Sequence, residues 1–175
     1  MLVTATHAHT VWVRHGSLSV ARNVERDYVT ARAYLSRDTV ERRLFERLEH
    51  ARGRHFWLTA NRRNDDSYDP STNAIAWDPH SALRTSAGGR QSPALGLGHE
   101  VDHAVEPPAR EAALASRLSR AYDTAEERRV ITGSERHAAR TLHESARRDH
   151  GGTCYRVASP ALLTCDGMSR GTRLG

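Results

Sequence analysis

Apolar and polar positions along this chain follow two different periods, and the changes of period mark its elements. Thr10-Val11-Trp12-Val13 is β-branched and aromatic and predicts a short strand. Between 23 and 51, Val24, Tyr28, Ala31 and Leu35, then Val40, Leu44 and Leu48, recur at helical spacing with Arg and Glu between them. That predicts helix broken near Ser36-Arg37-Asp38, where a Ser or Asp side chain can cap a new start, and Gly53 closes the run. Residues 55–59 and Ile75-Ala76-Trp77 read as further strands, separated by a polar, turn-rich stretch over 61–72. Residues 86–93 predict a flexible, Gly-containing loop, and helical patterns then follow at 94–105, 109–121, 124–131 and from 134 to about 148. The fold class this implies is α+β, a small mixed sheet packed on helices. The Gly-, Ser- and Thr-rich run from Ser159 predicts a fraying tail, which leaves 1–158 as a single domain.

The 94–105 segment carries the chemistry. Gly98-His99-Glu100-Val101-Asp102-His103 contains the pattern HExxH. Four residues make about one helical turn, so His99 and His103 point the same way and can share one tetrahedral Zn²⁺. Glu100 then stands where a general base for hydrolysis is needed. The competing reading is a surface helix that happens to expose two His. Pro107 and Pro108 stop this helix within about a turn of His103, and Asp102 is expected on its outer side, away from the metal.

A catalytic zinc takes three protein ligands, so a third must come from elsewhere. A metzincin would place Gly three and His six residues after His103, but Glu106 and Ala109 stand there. Thr124-Ala125-Glu126-Glu127 supplies a Glu on a second helix instead. The same residues match a capping box, in which Glu127 would only satisfy the N-terminal amide of its own helix. Glu126 and Glu127 both stay open as the ligand on this ground, and for Glu127 the ligand reading is preferred to the cap.

Leu97-Gly98-His99-Glu100-Val101-Asp102-His103-Ala104 followed by Glu126-Glu127-Arg128-Arg129 resembles the short HExxH zinc peptidases of the NleD-like type III secretion effectors, which are distantly similar to clostridial neurotoxin light chains. Asn73-Ala74-Ile75-Ala76-Trp77-Asp78-Pro79 resembles the strand before the metal helix of that family, and Ser134-Glu135 through Arg140 the helix after its Glu pair. The resemblance covers about residues 10 to 157, and Asp102 departs from it, since family members carry two apolar residues inside the motif. It implies a minimal zincin-like fold and Zn²⁺ held by His99, His103 and Glu127. It makes Glu100 the catalytic base, and Arg140 and Tyr155 the groups that face the oxyanion. In such folds an edge strand beside the cleft pairs with the peptide substrate, and Ile75, Ala76 and Trp77, in the last strand before the metal, are expected to fill that role. The implied function is a monomeric endopeptidase injected by a type III system into the host cell cytoplasm. Its partner is a host signalling protein, with a MAP-kinase activation loop as the target class.

Composition narrows the alternatives. The chain has 175 residues and a formal net charge of +5, and every one of its 26 basic residues is Arg. A GC-rich coding sequence explains this most simply. Absence of Lys also removes the side-chain amines that ubiquitin would use inside a host cell. An Arg-rich nucleic-acid-binding domain is a further class, but Arg alternates with Glu and Asp along most of the chain, as on solvated helix faces, and no nucleic-acid module is recognisable. A degenerate zincin that only binds is the third. No apolar run is long enough to cross a membrane and none reads as a secretory signal peptide. Cys154 and Cys165 could pair, but are expected to stay thiols.

Overall fold

The computed structural model describes residues 10–63 and 65–164. The chain runs β1 (Trp12–His15), β2 (Leu18–Ala21), α1 (Glu25–Leu35), α2 (Thr39–Glu49), β3 (Phe56–Ala60), β4 (Ser67–Asp69), β5 (Ala74–Trp77), β6 (Ser81–Thr85), β7 (Arg90–Gln91), α3 (Pro93–Val105), α4 (Pro108–Leu114), β8 (Arg117–Ser119), β9 (Asp123–Thr124), α5 (Ala125–Thr132), α6 (Ser134–Thr141) and β10 (Gly152–Arg156). The architecture is α+β. A five-stranded sheet has the order β1-β2-β3-β5-β4, a three-stranded sheet the order β10-β6-β7, and β8 and β9 form a separate pair. In the larger sheet β2, β3 and β5 run parallel, with an antiparallel strand added at either end. Among the described residues no helix is long and apolar enough to cross a membrane.

The expected break between the first two helices is real. Asp38 caps α2 by accepting from the amides of Val40 and Glu41 at 2.8 and 3.0 Å. Tyr28, Ala31 and Leu35 of α1 and Leu44, Phe45 and Leu48 of α2 are buried, and both helices pack against α3. Helix α3 lies in the middle of the molecule, where all its residues but Gly96 are buried. Ser92 caps its start through the Leu95 amide at 3.2 Å, with Pro93 in the first helical position. Arg47 donates to the Val105 carbonyl at 2.8 Å and Arg54 to that of Glu106 at 3.3 Å, so two cations meet the carbonyls exposed at its C-terminal end.

Several expectations need correction. The strand at 75–77 forms, but not at an edge. Ala76 faces Thr59 of β3 on one side and Ser67 of β4 on the other, and Ile75 and Trp77 are fully buried. Both rows of its backbone groups are committed, so an extended peptide has no ladder to join at Ile75, Ala76 and Trp77. Residues 86–89 are the turn of the β6–β7 hairpin, with Gly88 at φ 84°. The helix expected over 109–121 is only α4; the chain then reverses over residues 120–122 between β8 and β9, and Asp123 (φ 63°) opens β9. Helix α6 stops at Thr141, and His143 (φ 59°) turns the chain back. The described part of the tail is tied down: Ala94 donates its amide to Pro160 at 2.9 Å, and the Tyr155 hydroxyl donates to the Leu163 carbonyl at 2.6 Å. Cys165 lies outside the described residues.

Trp77 links the larger sheet to α3, because its indole N–H donates to the Pro93 carbonyl at 2.8 Å in a buried setting. Trp77→Phe removes that bond and leaves space in the core beside α3, and should lower stability by about 1–3 kcal/mol, read as a shift in the urea midpoint. An unchanged midpoint would show that this bond does not anchor the helix.

Candidate metal centre

Helical geometry brings His99 and His103 to one face of α3, and the first turn of α5 carries Glu127 to them. His99, His103 and Glu127 could hold a metal ion, with one ligand atom from each lying within 4.8 Å of the others. The separations are tighter than that limit. His99 Nε2 and His103 Nε2 are 3.0 Å apart, Glu127 Oε2 is 3.1 Å from the first, and Glu127 Oε1 is 3.3 Å from the second. Metal–ligand bonds of 2.0–2.1 Å in a tetrahedron put neighbouring ligand atoms about 3.3–3.4 Å apart. With one Glu127 oxygen turned to each ring, the residues present come close to one face of such a tetrahedron.

Each imidazole has a carboxylate behind it. With Nε2 turned to the metal position, Nδ1 carries the hydrogen. His99 donates it to Glu135 Oε2 at 2.8 Å, and His103 to Glu126 Oε1 at 3.1 Å. The carboxylates are held in turn. Arg147 donates to Glu135 at 2.7 Å, and Arg129 to Glu126 at 2.5 Å and to Asp102 at 2.9 Å. The 2.9 Å approach of Arg147 to His99 Nδ1 joins two donors in this tautomer, so the guanidinium acts through Glu135.

The two Glu are thereby separated. Glu127 belongs to the ligand cluster, whereas Glu126 orients His103. Only half of the capping box forms: Thr124 accepts from the Glu127 amide at 3.1 Å, but the Thr124 amide donates to the Tyr122 carbonyl. The Glu127 carboxylate is thus released from capping its own helix. Asp102 does point away from the metal position, but not to solvent. It is buried and accepts from Arg129 and from the Ser134 hydroxyl.

Electrostatics follow from this packing. Burial is the largest influence on His103 and opposes its charge, but hydrogen bonds to Glu126 and Glu127 outweigh it and hold the imidazole up at about 10. His99 is also raised: burial opposes its charge, and Glu127 and Glu135 overcome it. Burial pushes Glu127, Glu126 and Glu135 up, yet their His and Arg partners bring all three well below the usual range, to about 2 for the last two. Glu100 moves the other way, raised chiefly by burial against the pull of His99 and His103. Asp66, pushed up to about 8 chiefly by burial, shares the cleft with it.

Two cavities of about 230 and 290 Å³ meet at this centre, and Asp66, Glu100 and His150 line both. His150 is half-exposed, with Nε2 3.3 Å from Glu127 Oε2. Arg140 does not reach the site; it is exposed on α6. Tyr155 does not reach it either, because its ring lies 6.0 Å under Arg90 and its hydroxyl is bonded to Leu163. Sequence reasoning missed Glu135 as a partner of His99, and Arg147, His150 and Asp66 altogether. Arg147 sits in the stretch after α6 that was expected to be helical, and His150 lies just beyond it. This stretch is laced to the centre by Glu144, which accepts from the Ser92 amide and hydroxyl at 2.6 and 2.7 Å.

Compared with known protein families, curated proteins and solved structures, the chain matches none.

Because metal and protons compete for the same nitrogens, zinc uptake at pH 7 should release at least about one proton, that of His103, and affinity should fall as pH falls. Calorimetry in buffers of different ionisation enthalpy measures the release, and none would contradict this electrostatic account. Glu127→Ala should abolish tight zinc binding, and Glu126→Ala should weaken it about 10–100-fold. The opposite order in a metal-competition titration would exchange the roles of the two residues.

Proposed function

We propose that the protein is a zinc-dependent endopeptidase with a minimal zincin-like fold. The observation that carries this reading is the convergence of His99, His103 and Glu127 in a cleft where Glu100, the next residue after one ligand, is buried and raised in pKa. Two imidazoles and one carboxylate suit zinc better than magnesium or calcium, which favour oxygen ligands throughout. Zinc bound there would polarise a scissile carbonyl and acidify the attacking water.

The chain's own residues do the rest. Glu100 takes the proton of the attacking water and returns it to the leaving amine, and burial strengthens it as a base. Glu135 and Glu126 fix the rings of His99 and His103. Charge that develops on the carbonyl oxygen needs a donor near the metal position, and His150, which lines both cavities beside Glu127, takes the role expected of Arg140 and Tyr155. An extended substrate would cross Glu100 from one cavity to the other.

The resemblance to NleD-like effectors extends the reading to a protein delivered by a type III system into a host cell, where it cleaves a signalling protein such as a MAP kinase in its activation loop. The absence of Lys suits a long life there. Nucleic acid is a poorer partner. Arg32, Arg129, Arg147 and Arg156 are engaged with Glu49, Asp102, Glu135 and Asp78, and both cavities at the centre carry carboxylates.

Glu100→Ala should keep zinc and lose roughly 10²–10⁴-fold in peptide cleavage, measured as kcat/KM beside metal content. Undiminished cleavage in a zinc-loaded Glu100→Ala protein would remove Glu100 from the mechanism. A wild-type protein that holds zinc and cleaves no peptide would leave it a binding module.

A further inference from the structure

The cavity of about 230 Å³ on one side of Glu100 has an acidic wall that no arginine pairs with among the described ion pairs. Asp65 and Asp66 line it just before β4, facing Leu83, Leu95 and Gly96. One Asp66 oxygen accepts the Asp78 amide at 2.7 Å. The other lies against α3 at Gly96, where an added Cβ would come within 2.9 Å of it. Here the helix gives up its side chain, and the carboxyl occupies that approach. Ser81 supplies an independent sign that something binds. It is 8 % exposed, it lines the same cavity, and its buried hydroxyl oxygen has no hydrogen-bond partner. The Arg147 guanidinium, which lines the same cavity, is bonded to Glu135 and joins neither Asp.

A buried hydroxyl without a partner costs free energy until a ligand satisfies it, and burial holds the Asp66 carboxyl toward its neutral form until a cation beside it favours the carboxylate. A guanidinium or ammonium has several donors and no acceptor, so one head group can serve both. Leu83 and Leu95 offer an apolar flank for the methylene stem that such a side chain brings. The same carboxylates repel an acidic or phosphorylated residue.

We propose that this cavity receives an arginine or lysine side chain of a peptide, with its charged head between Asp66 and Ser81. The assignment rests on the endopeptidase reading for its consequence: the pocket adjoins Glu100, so it selects the residue next to the scissile bond.

The test separates the pocket from the chemistry. Binding of N-acetyl-arginine amide and of N-acetyl-citrulline amide, which has the same shape without the charge, is measured on the zinc-loaded protein by NMR titration. The arginine probe should bind about 10–100-fold more tightly, and Asp66→Asn should erase the difference. Ser81→Ala should reduce it, with melting temperature and zinc content confirming that each variant is folded. If Asp66→Asn does not fold, the wild-type comparison of the two probes still decides. Equal binding of the two probes to the wild-type protein overturns the proposal. Cleavage of a randomised peptide mixture supplies the second arm. Products should show arginine or lysine at one position beside the cut, and cleavage without that preference also overturns the pocket. Selective binding of the arginine probe with no cleavage of any peptide supports the pocket and overturns the endopeptidase reading instead.

Discussion

Two imidazoles and a carboxylate held within about hydrogen-bond distance of each other inside a protein constrain everything around them. Burial penalises each charged or polar group that lacks a partner, and here the two imidazoles sit on a helix surrounded by the core. The free nitrogens of His99 and His103 therefore draw in Glu135 and Glu126. Those carboxylates draw in Arg147 and Arg129, and Arg129 reaches on to Asp102. This chain of pairings crosses α3, α5, α6 and the segment after α6. A site described only by its three ligands would miss what orients them.

The same network accounts for the direction of the electrostatics. Carboxylates outnumber permanent cations around the two rings, so both imidazoles are raised and Glu127 is lowered. A divalent cation offers these groups what protons offer them otherwise, a positive charge at the point where Glu127, His99 and His103 meet. Glu100, which no arginine pairs with among the described ion pairs, instead moves toward the basicity that its proposed role needs.

Local pattern made part of this legible. Two His four residues apart share a helix face whatever the rest of the chain does, and Thr124 marks the start of the helix that brings Glu127. Non-local geometry was not legible. Ser67-Tyr68-Asp69 has too little apolar pattern to read as a strand, yet it covers β5 and moves the edge of the sheet away from Ile75, Ala76 and Trp77. Helical spacing in the 134–148 stretch hid the reversal at His143, and Arg147 stands at the centre where the resemblance had put Arg140. Asp66 and His150 reach the cleft from segments without periodicity, where a one-dimensional reading has nothing to measure. Ser81 is similar: its significance is an unpaired hydroxyl, which only three-dimensional packing creates.

The central claim is that one zinc ion is held by His99, His103 and Glu127. X-ray absorption at the zinc edge, on protein carrying one equivalent of the metal, tests it most directly. The account predicts a first shell of about four nitrogen or oxygen atoms at about 2.0–2.1 Å, outer-shell scattering of two imidazoles, and loss of that signal in Glu127→Ala. A sulfur ligand at about 2.3 Å, or scattering from a single imidazole, would contradict it.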